Sequence, residues 1–242
     1  MFDVKGKSML EIKNICYDAK EPEGTKKILK NVSFSVKKDE MVVITGPNGS
    51  GKSTLAKIIM GILKPTSGQV LFDGKDITGL SITERANLGF GYAFQTPVVF
   101  KGLTVKDLID LATKKTNTIA MACEYLSRVG LCAREYVNRE VNSRLSGGEL
   151  KRIELAVLLA KNSEVNICDE PEAGIDLWSF DAFVRLFSEK RKTYLVISHQ
   201  KRLIEIADKV IVLRKGEVEH EGSFDEMKEY LFATTCNRLE EK

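Results

Sequence analysis

Gly46-Pro47-Asn48-Gly49-Ser50-Gly51-Lys52-Ser53 is the stretch on which the reading of this chain turns. It fits G-x-x-x-x-G-K-S/T at every fixed position. Glycine makes up about 7% of ordinary proteins, so a chance match somewhere in the chain has a probability on the order of one per cent. The glycines let the backbone curl until successive N–H groups point at phosphate oxygens. A helix opening near Lys52 adds its positive dipole end. Lys52 then supplies a point charge for β- and γ-phosphates, and the Ser53 hydroxyl a ligand for Mg²⁺. The simpler alternative is a glycine-rich turn without a ligand, and the flanking pattern argues against it.

On one side of this loop Met41 to Thr45 reads as a short apolar strand. On the other, Leu55, Ile58, Ile59 and Ile62 recur at helical spacing and give one apolar face. Upstream, Val32, Phe34 and Val36 alternate with Ser33 and Ser35 as a half-buried strand does. Asp18 to Lys27, with Pro22 and Gly24, reads as the polar turn before it. Gln69 to Phe72 is a further strand ended by Asp73-Gly74, and Thr104 to Asn142 is mostly helical. Val165–Cys168, Ser179–Lys190 and Tyr194–Ile197 then alternate as strand, helix and strand, and an amphipathic helix follows Gly222. Such alternation predicts an α/β fold, a mainly parallel sheet with helices packed on it.

Two further segments carry chemistry. The run Val165-Asn166-Ile167-Cys168 ends in Asp169-Glu170. An aspartate at a strand's C-terminal end beside a phosphate loop suits a Mg²⁺ partner, and the next glutamate is placed to polarise an attacking water. An isolated Asp-Glu pair is usually a solvated loop; the phosphate loop is what raises this one above that. Asn166 breaks the apolar pattern of a central strand and needs partners if buried. Leu145-Ser146-Gly147-Gly148-Glu149 reads first as a capping box, Ser146 to Glu149, ahead of a helix. Two glycines in a first turn weaken that helix and expose N–H groups, which also suits phosphate binding. Both readings hold together.

Bulk composition sets limits. At 242 residues, 43% hydrophobic and 29% charged, the chain is an ordinary globular one with room for a large core. Its 37 basic and 34 acidic residues leave only +3. That small excess, with no basic stripe, coiled-coil insert or second cassette, argues against a nucleic-acid partner. The first residues show no apolar leader, and no apolar run approaches the roughly 20 residues of a membrane span. No direct membrane insertion is expected, and any membrane part belongs to another polypeptide. Five scattered cysteines without C-x-x-C spacing fit free thiols in a reducing cytoplasm.

The order of these segments resembles that of the ABC ATPases: GPNGSGKST at Gly46–Thr54, Gln95, LSGGE at Leu145–Glu149, CDE at Cys168–Glu170, GID at Gly174–Asp176, and His199. The resemblance covers nearly the whole chain. It implies one domain over residues 1–242: a P-loop NTPase with a RecA-like core, a small antiparallel β subdomain and an inserted helical subdomain at about 96–150. It implies ATP and Mg²⁺ as ligands, bound by Gly46, Pro47, Asn48, Gly49, Ser50, Gly51, Lys52, Ser53 and Thr54. Ser53, Gln95 and Asp169 would serve the metal, and Glu170, His199 and Gln95 the hydrolysis. It also implies a head-to-tail pair with a second copy, in which Ser146, Gly147 and Gly148 face the other copy's phosphate loop. His220 falls outside every motif and reads as solvated.

Within that superfamily AFQTP at Ala93–Pro97, NREVNSRLSGGELKRIE at Asn138–Glu154, Glu172 with Gly174, and His199-Gln200-Lys201-Arg202 resemble the SufC ATPases of iron–sulfur cluster assembly. That resemblance implies a soluble SufB/SufD-like scaffold as partner. Pro171 and GLTVKDLI at Gly102–Ile109 look instead like transporter ATPases, whose partner is a transmembrane transporter subunit. Ala173 stands where both groups usually carry serine. Ala19 stands where many transporter ATPases carry an adenine-stacking aromatic, and Tyr17 nearby is either its substitute or core.

Overall fold

The computed structural model describes residues 8–22, 24–176, 179–188 and 192–236. Its centre is β3 (Met41–Thr45), buried at every position. A strand with no polar outward face must be covered on both sides, as in parallel α/β sheets. It lies in a six-stranded sheet of order β10-β9-β3-β8-β7-β6. The other members are β6 (Phe90–Ala93), β7 (Val165–Asp169), β8 (Thr193–Ile197), β9 (Lys209–Arg214) and β10 (Glu217–Gly222). All neighbours are parallel except β10, which returns antiparallel on β9.

Alternation along β3 divides the interior in two. Val42 and Ile44 join one cluster with Leu55, Ile58 and Ile59 of α1 (Lys52–Met60). A second, antiparallel sheet closes this cluster, in the order β2 (Gly24–Lys37), β1 (Ser8–Glu21), β4 (Ser67–Phe72) and β5 (Lys75–Asp76). Met41 and Val43 face the other way, toward α6 (Gly147–Lys161) and α7 (Phe180–Ser188). That second cluster continues into α3 (Val105–Thr113), α4 (Ile119–Arg128) and the loops after them. The short α5 (Ala133–Tyr136) follows them, so the stretch expected to be mostly helical carries three helices. The remaining helices are α2 (Ile82–Asn87), α8 (Lys201–Glu205) and α9 (Phe224–Cys236).

Several expectations need correction. The polar stretch Asp18–Lys27 is a ladder, with Asp18 opposite Lys27 and Glu21 opposite Gly24, and only the tip turns. A two-stranded ribbon satisfies its backbone groups by pairing, so exposed polar side chains do not prevent it. The first helix stops at Met60 because Gly61 takes a left-handed φ of 81° and its N–H reaches back to Ile58. Ile62 therefore packs on the cluster from beyond the helix. Of the helix expected over Ser179–Lys190, the last two residues lie outside the described residues, as do 1–7 and 237–242 at the chain ends. Asn166 is buried, and its amide donates to Ser163 O at 3.3 Å and Thr193 O at 3.4 Å. Tyr17 packs against the first cluster.

Arg85 on α2 is the largest fully buried side chain among the described residues. Its guanidinium donates to Ile58 O at 2.8 Å, Ile59 O at 2.7 Å and Thr78 O at 2.8 Å. The Ile58 and Ile59 carbonyls lie in the last turn of α1, where a helix runs out of N–H groups to bond its own carbonyls. Arg85 thereby fixes the far end of the helix that follows the phosphate loop. Arg85→Ala should cost roughly 2–4 kcal/mol in urea unfolding, because several buried carbonyls lose their donor. A loss below about 1 kcal/mol would contradict this account.

Candidate functional site

Four adjacent parallel strands, β3, β8, β7 and β6, end together, with Ile44 level with Ile197, Ile197 with Asp169, and Cys168 with Ala93. The segments after them carry the expected residues: the phosphate loop after β3, Glu170 after β7, His199 two residues past β8, and Gln95 two past β6. This C-terminal edge is where open α/β sheets bind ligands.

In the loop, Gly46, Gly49 and Gly51 have φ of 135°, 78° and 100°. A Cβ at Gly46 would lie 2.0 Å from Leu213 O, so no other residue fits there. Gly51 caps α1 without a side-chain acceptor, and the first turn has no acidic residue. No acidic residue of the helix itself compensates its first N–H groups and dipole. Lys52 is 6% exposed and donates from Nζ to Gly46 O at 2.7 Å and Pro47 O at 3.0 Å. Burial pushes its pKa down, and the carboxylates of Glu170 and Asp169 pull it back up. Asn48 is exposed, and Thr54 is half-buried on α1.

Ser53 Oγ donates to Asp169 Oδ1 at 3.1 Å, and Tyr92 OH to Asp169 Oδ2 at 3.4 Å. Burial raises the pKa of Asp169, and the Ser53 hydrogen bond opposes that rise. A hydroxyl and a buried carboxylate side by side, beside a phosphate cradle, form the hard oxygen set that Mg²⁺ takes. Glu170 follows in a left-handed conformation, φ 47°, with its N–H bonded to Ile197 O at 2.9 Å. A non-glycine residue so held stores strain of order 1–3 kcal/mol, a property concentrated at working sites. The pKa of His199 is lowered by burial and then by the Lys52 charge, while Glu170 opposes. Those electrostatic contacts place His199 with Lys52 and Glu170.

Glu172 is a further member that sequence reading took only as a family match. Its carboxylate accepts the Ser198 hydroxyl at 2.5 Å, and Ser198 Oγ accepts the Gln200 N–H at 2.9 Å. The residues on both sides of His199 are thereby tied to the turn after β7.

Ser146, Gly147 and Gly148 open α6. The capping box is complete: Ser146 Oγ accepts from Glu149 N, and Glu149 accepts from Ser146 N at 2.6 Å. Tyr136 OH donates to the same carboxylate, and these bonds hold the Glu149 pKa down to about 2. A Cβ on Gly148 would meet Gly174 O at 2.2 Å, so the two motif glycines pack backbone to backbone. Ser146 and Gly147 are exposed, as is Gln95. His220 is exposed and its ring meets that of Tyr230 at a tilt of 54°, with centroids 4.1 Å apart.

A phosphate cradle at the C-terminal edge of a parallel sheet, with carboxylates and a histidine around it, defines a P-loop nucleotide-hydrolysing cassette. The family model described as ABC transporter matches residues 29–173. An uncharacterized ABC transporter ATP-binding protein of Methanocaldococcus jannaschii is 42% identical over 230 residues, covering 90% of this chain and 92% of that protein. The spermidine/putrescine import ATP-binding protein PotA of Mesoplasma florum is 33% identical over 224 residues, covering 89% of this chain and 62% of that protein. Among solved structures, an ATP-binding cassette in a dimeric post-hydrolysis state with ADP and Pi superposes with a TM-score of 0.80 at 30% identity, covering 89% of this chain and 98% of that one. The chain belongs to the ABC transporter family of ATP-binding cassettes, and it binds and hydrolyses ATP.

Because Lys52 depresses the pKa of His199, Lys52→Ala should raise it relative to the wild-type protein, as NMR titration of the imidazole would record. An unchanged midpoint would separate the two groups.

Proposed function

We propose that this chain is the ATP-hydrolysing subunit of a two-cassette machine whose work is done on a separate partner polypeptide. The observation that carries this reading is the assembly of the phosphate loop, Asp169, Glu170 and His199 at one sheet edge, while Ser146 and Gly147 stand exposed at the start of another helix. A phosphate-binding motif turned outward suits a second copy, each copy completing the other's site. The dimeric state of the related cassette supports that pairing.

In this reading the loop amides and Lys52 hold the β- and γ-phosphates, and Ser53 with Asp169 and Gln95 holds Mg²⁺. When bound, Mg²⁺ neutralises charge on the phosphate oxygens. Glu170 orients the attacking water and accepts its proton, and neutral His199 contacts the γ-phosphate oxygens. Phosphoryl transfer needs positioning and charge stabilisation, so no nucleophilic side chain is required. Closure on ATP and reopening after hydrolysis move the helical subdomain, about residues 96–150, within one cassette domain of residues 1–242. Phe94, Val98, Val99 and Phe100 expose apolar surface around Gln95, which suits a partner that senses this motion.

The relatives' names favour a transporter subunit as that partner; in this reading the partner spans the membrane and this chain lies on its cytoplasmic side. Among the described residues no helix is long and apolar enough to cross a membrane. A second reading rests on this chain's own residues: Ala93–Pro97, Asn138–Glu154 and Glu172 favour a SufC-like subunit on a SufB/SufD-like scaffold. The names reverse the order in which the sequence resemblance ranked these two partners.

Glu170→Gln should bind ATP, turn over at least about 100-fold more slowly, and accumulate as a dimer in gel filtration with ATP. Wild-type turnover in that variant would remove Glu170 from its role. Tagged protein should retain a polytopic membrane protein from detergent extracts if the transporter reading holds. Retention of a soluble scaffold instead would establish the second.

A further inference from the structure

Two side chains of α6 grip the peptide backbone one residue before Gln95. Glu154 Oε1 accepts the Phe94 N–H at 2.9 Å, and Lys151 Nζ donates to Phe94 O. Lys151 also lies 3.3 Å from Asp169 O and 3.3 Å from Glu154 Oε2. Its side chain is wholly buried. Spacing of i and i+3 puts both residues on one face of the helix. An ammonium taken out of water costs several kcal/mol unless it is fully bonded, so a buried lysine is an expensive anchor for a loop. Phe94 is 37% exposed with its ring against Tyr92, centroids 4.7 Å apart, and its backbone is held on both polar groups by α6. Burial raises the Glu154 pKa, with Lys151 opposing, as expected of a carboxylate whose charge depends on that one cation.

The same helix begins with Ser146-Gly147-Gly148. We propose that Lys151 and Glu154 are positioning residues that lock the signature helix to the backbone entering Gln95 and leaving β7 at Asp169, so that α6 and the glutamine segment move as one body. The inference rests on the role given to Gln95 in the proposed function. It assigns to Lys151 and Glu154 a coupling that would make nucleotide engagement at the helix start felt at the hydrolytic centre of the same chain. Interfaces of this kind transmit small shifts because packed contacts do not deform continuously.

The test uses the full chain with Lys151→Met, the double variant Lys151→Met/Glu154→Met, and Gln95→Ala. Lys151→Met alone should destabilise the protein, because it strands a buried carboxylate. The double variant removes both charges and should recover that stability, yet its kcat should remain at least about tenfold below wild type with the ATP dissociation constant within about twofold. Recovery of kcat together with stability would reduce the pair to a packing role and overturn the proposal. Adding the double substitution to Gln95→Ala should cause no further loss, and a multiplied loss would overturn coupling through Gln95. Failure of the underlying reading looks different: Gln95→Ala would then hydrolyse ATP at the wild-type rate, and the coupling would fall with it. Amide exchange on the wild-type protein needs no variant. The Phe94 amide should be protected, and protected further when ATP orders the first turn of α6 in Glu170→Gln; exchange at a free-loop rate would overturn the proposal.

Discussion

The close approach of the Gly46 backbone to the Leu213 carbonyl sets the geometry on which the molecule depends. β9 lies directly beside β3, so the phosphate loop leaves the sheet pressed against its neighbour, and only a residue without a Cβ can turn there. From that point the chain curls over two more left-handed glycines into α1. Arg85 ties the far end of α1 down, and both interior clusters flank the strand from which the loop springs. An anion cradle made of main-chain amides is useful only if those amides cannot relax, and this framework supplies that rigidity.

Charge is handled at the site in a way that the core alone would not require. Lys52, Asp169 and Glu172 are partly or wholly withdrawn from water, and burial is the largest influence on each. Lys52 spends its donors on carbonyls of its own loop, and Asp169 is held by a serine and a tyrosine. Such groups are costly to keep unless a ligand of matching charge completes them. A triphosphate with a divalent ion has the charges that both sides of this arrangement lack.

Much of this was legible in the residues because local rules and global fold agree there. The loop's glycines, the apolar run Met41–Thr45 and the helical spacing after Lys52 each name the same element, and the Ser146–Glu149 box is built as its spacing suggests. What escaped reading has little local signature. β6 and β9 were not picked out from the sequence. The Asp18–Lys27 ladder is polar because both its faces meet solvent over most of its length. Arg85, Lys151 and Glu154 look like surface charges on helices, since nothing nearby in sequence announces the distant backbone groups they serve. Glu172 stood out only as a family match, and nothing beside it in sequence announces its bond to Ser198.

The central claim is that main-chain amides of Gly46–Ser53 and the single charge of Lys52 hold the phosphates of ATP. Calorimetric titration of MgATP into the wild-type protein and into Lys52→Ala tests it most directly. The account predicts saturable binding by the wild type and a loss of at least about 100-fold in affinity for the variant. Equal affinity in the two proteins, or no binding by the wild type at millimolar nucleotide, would contradict it.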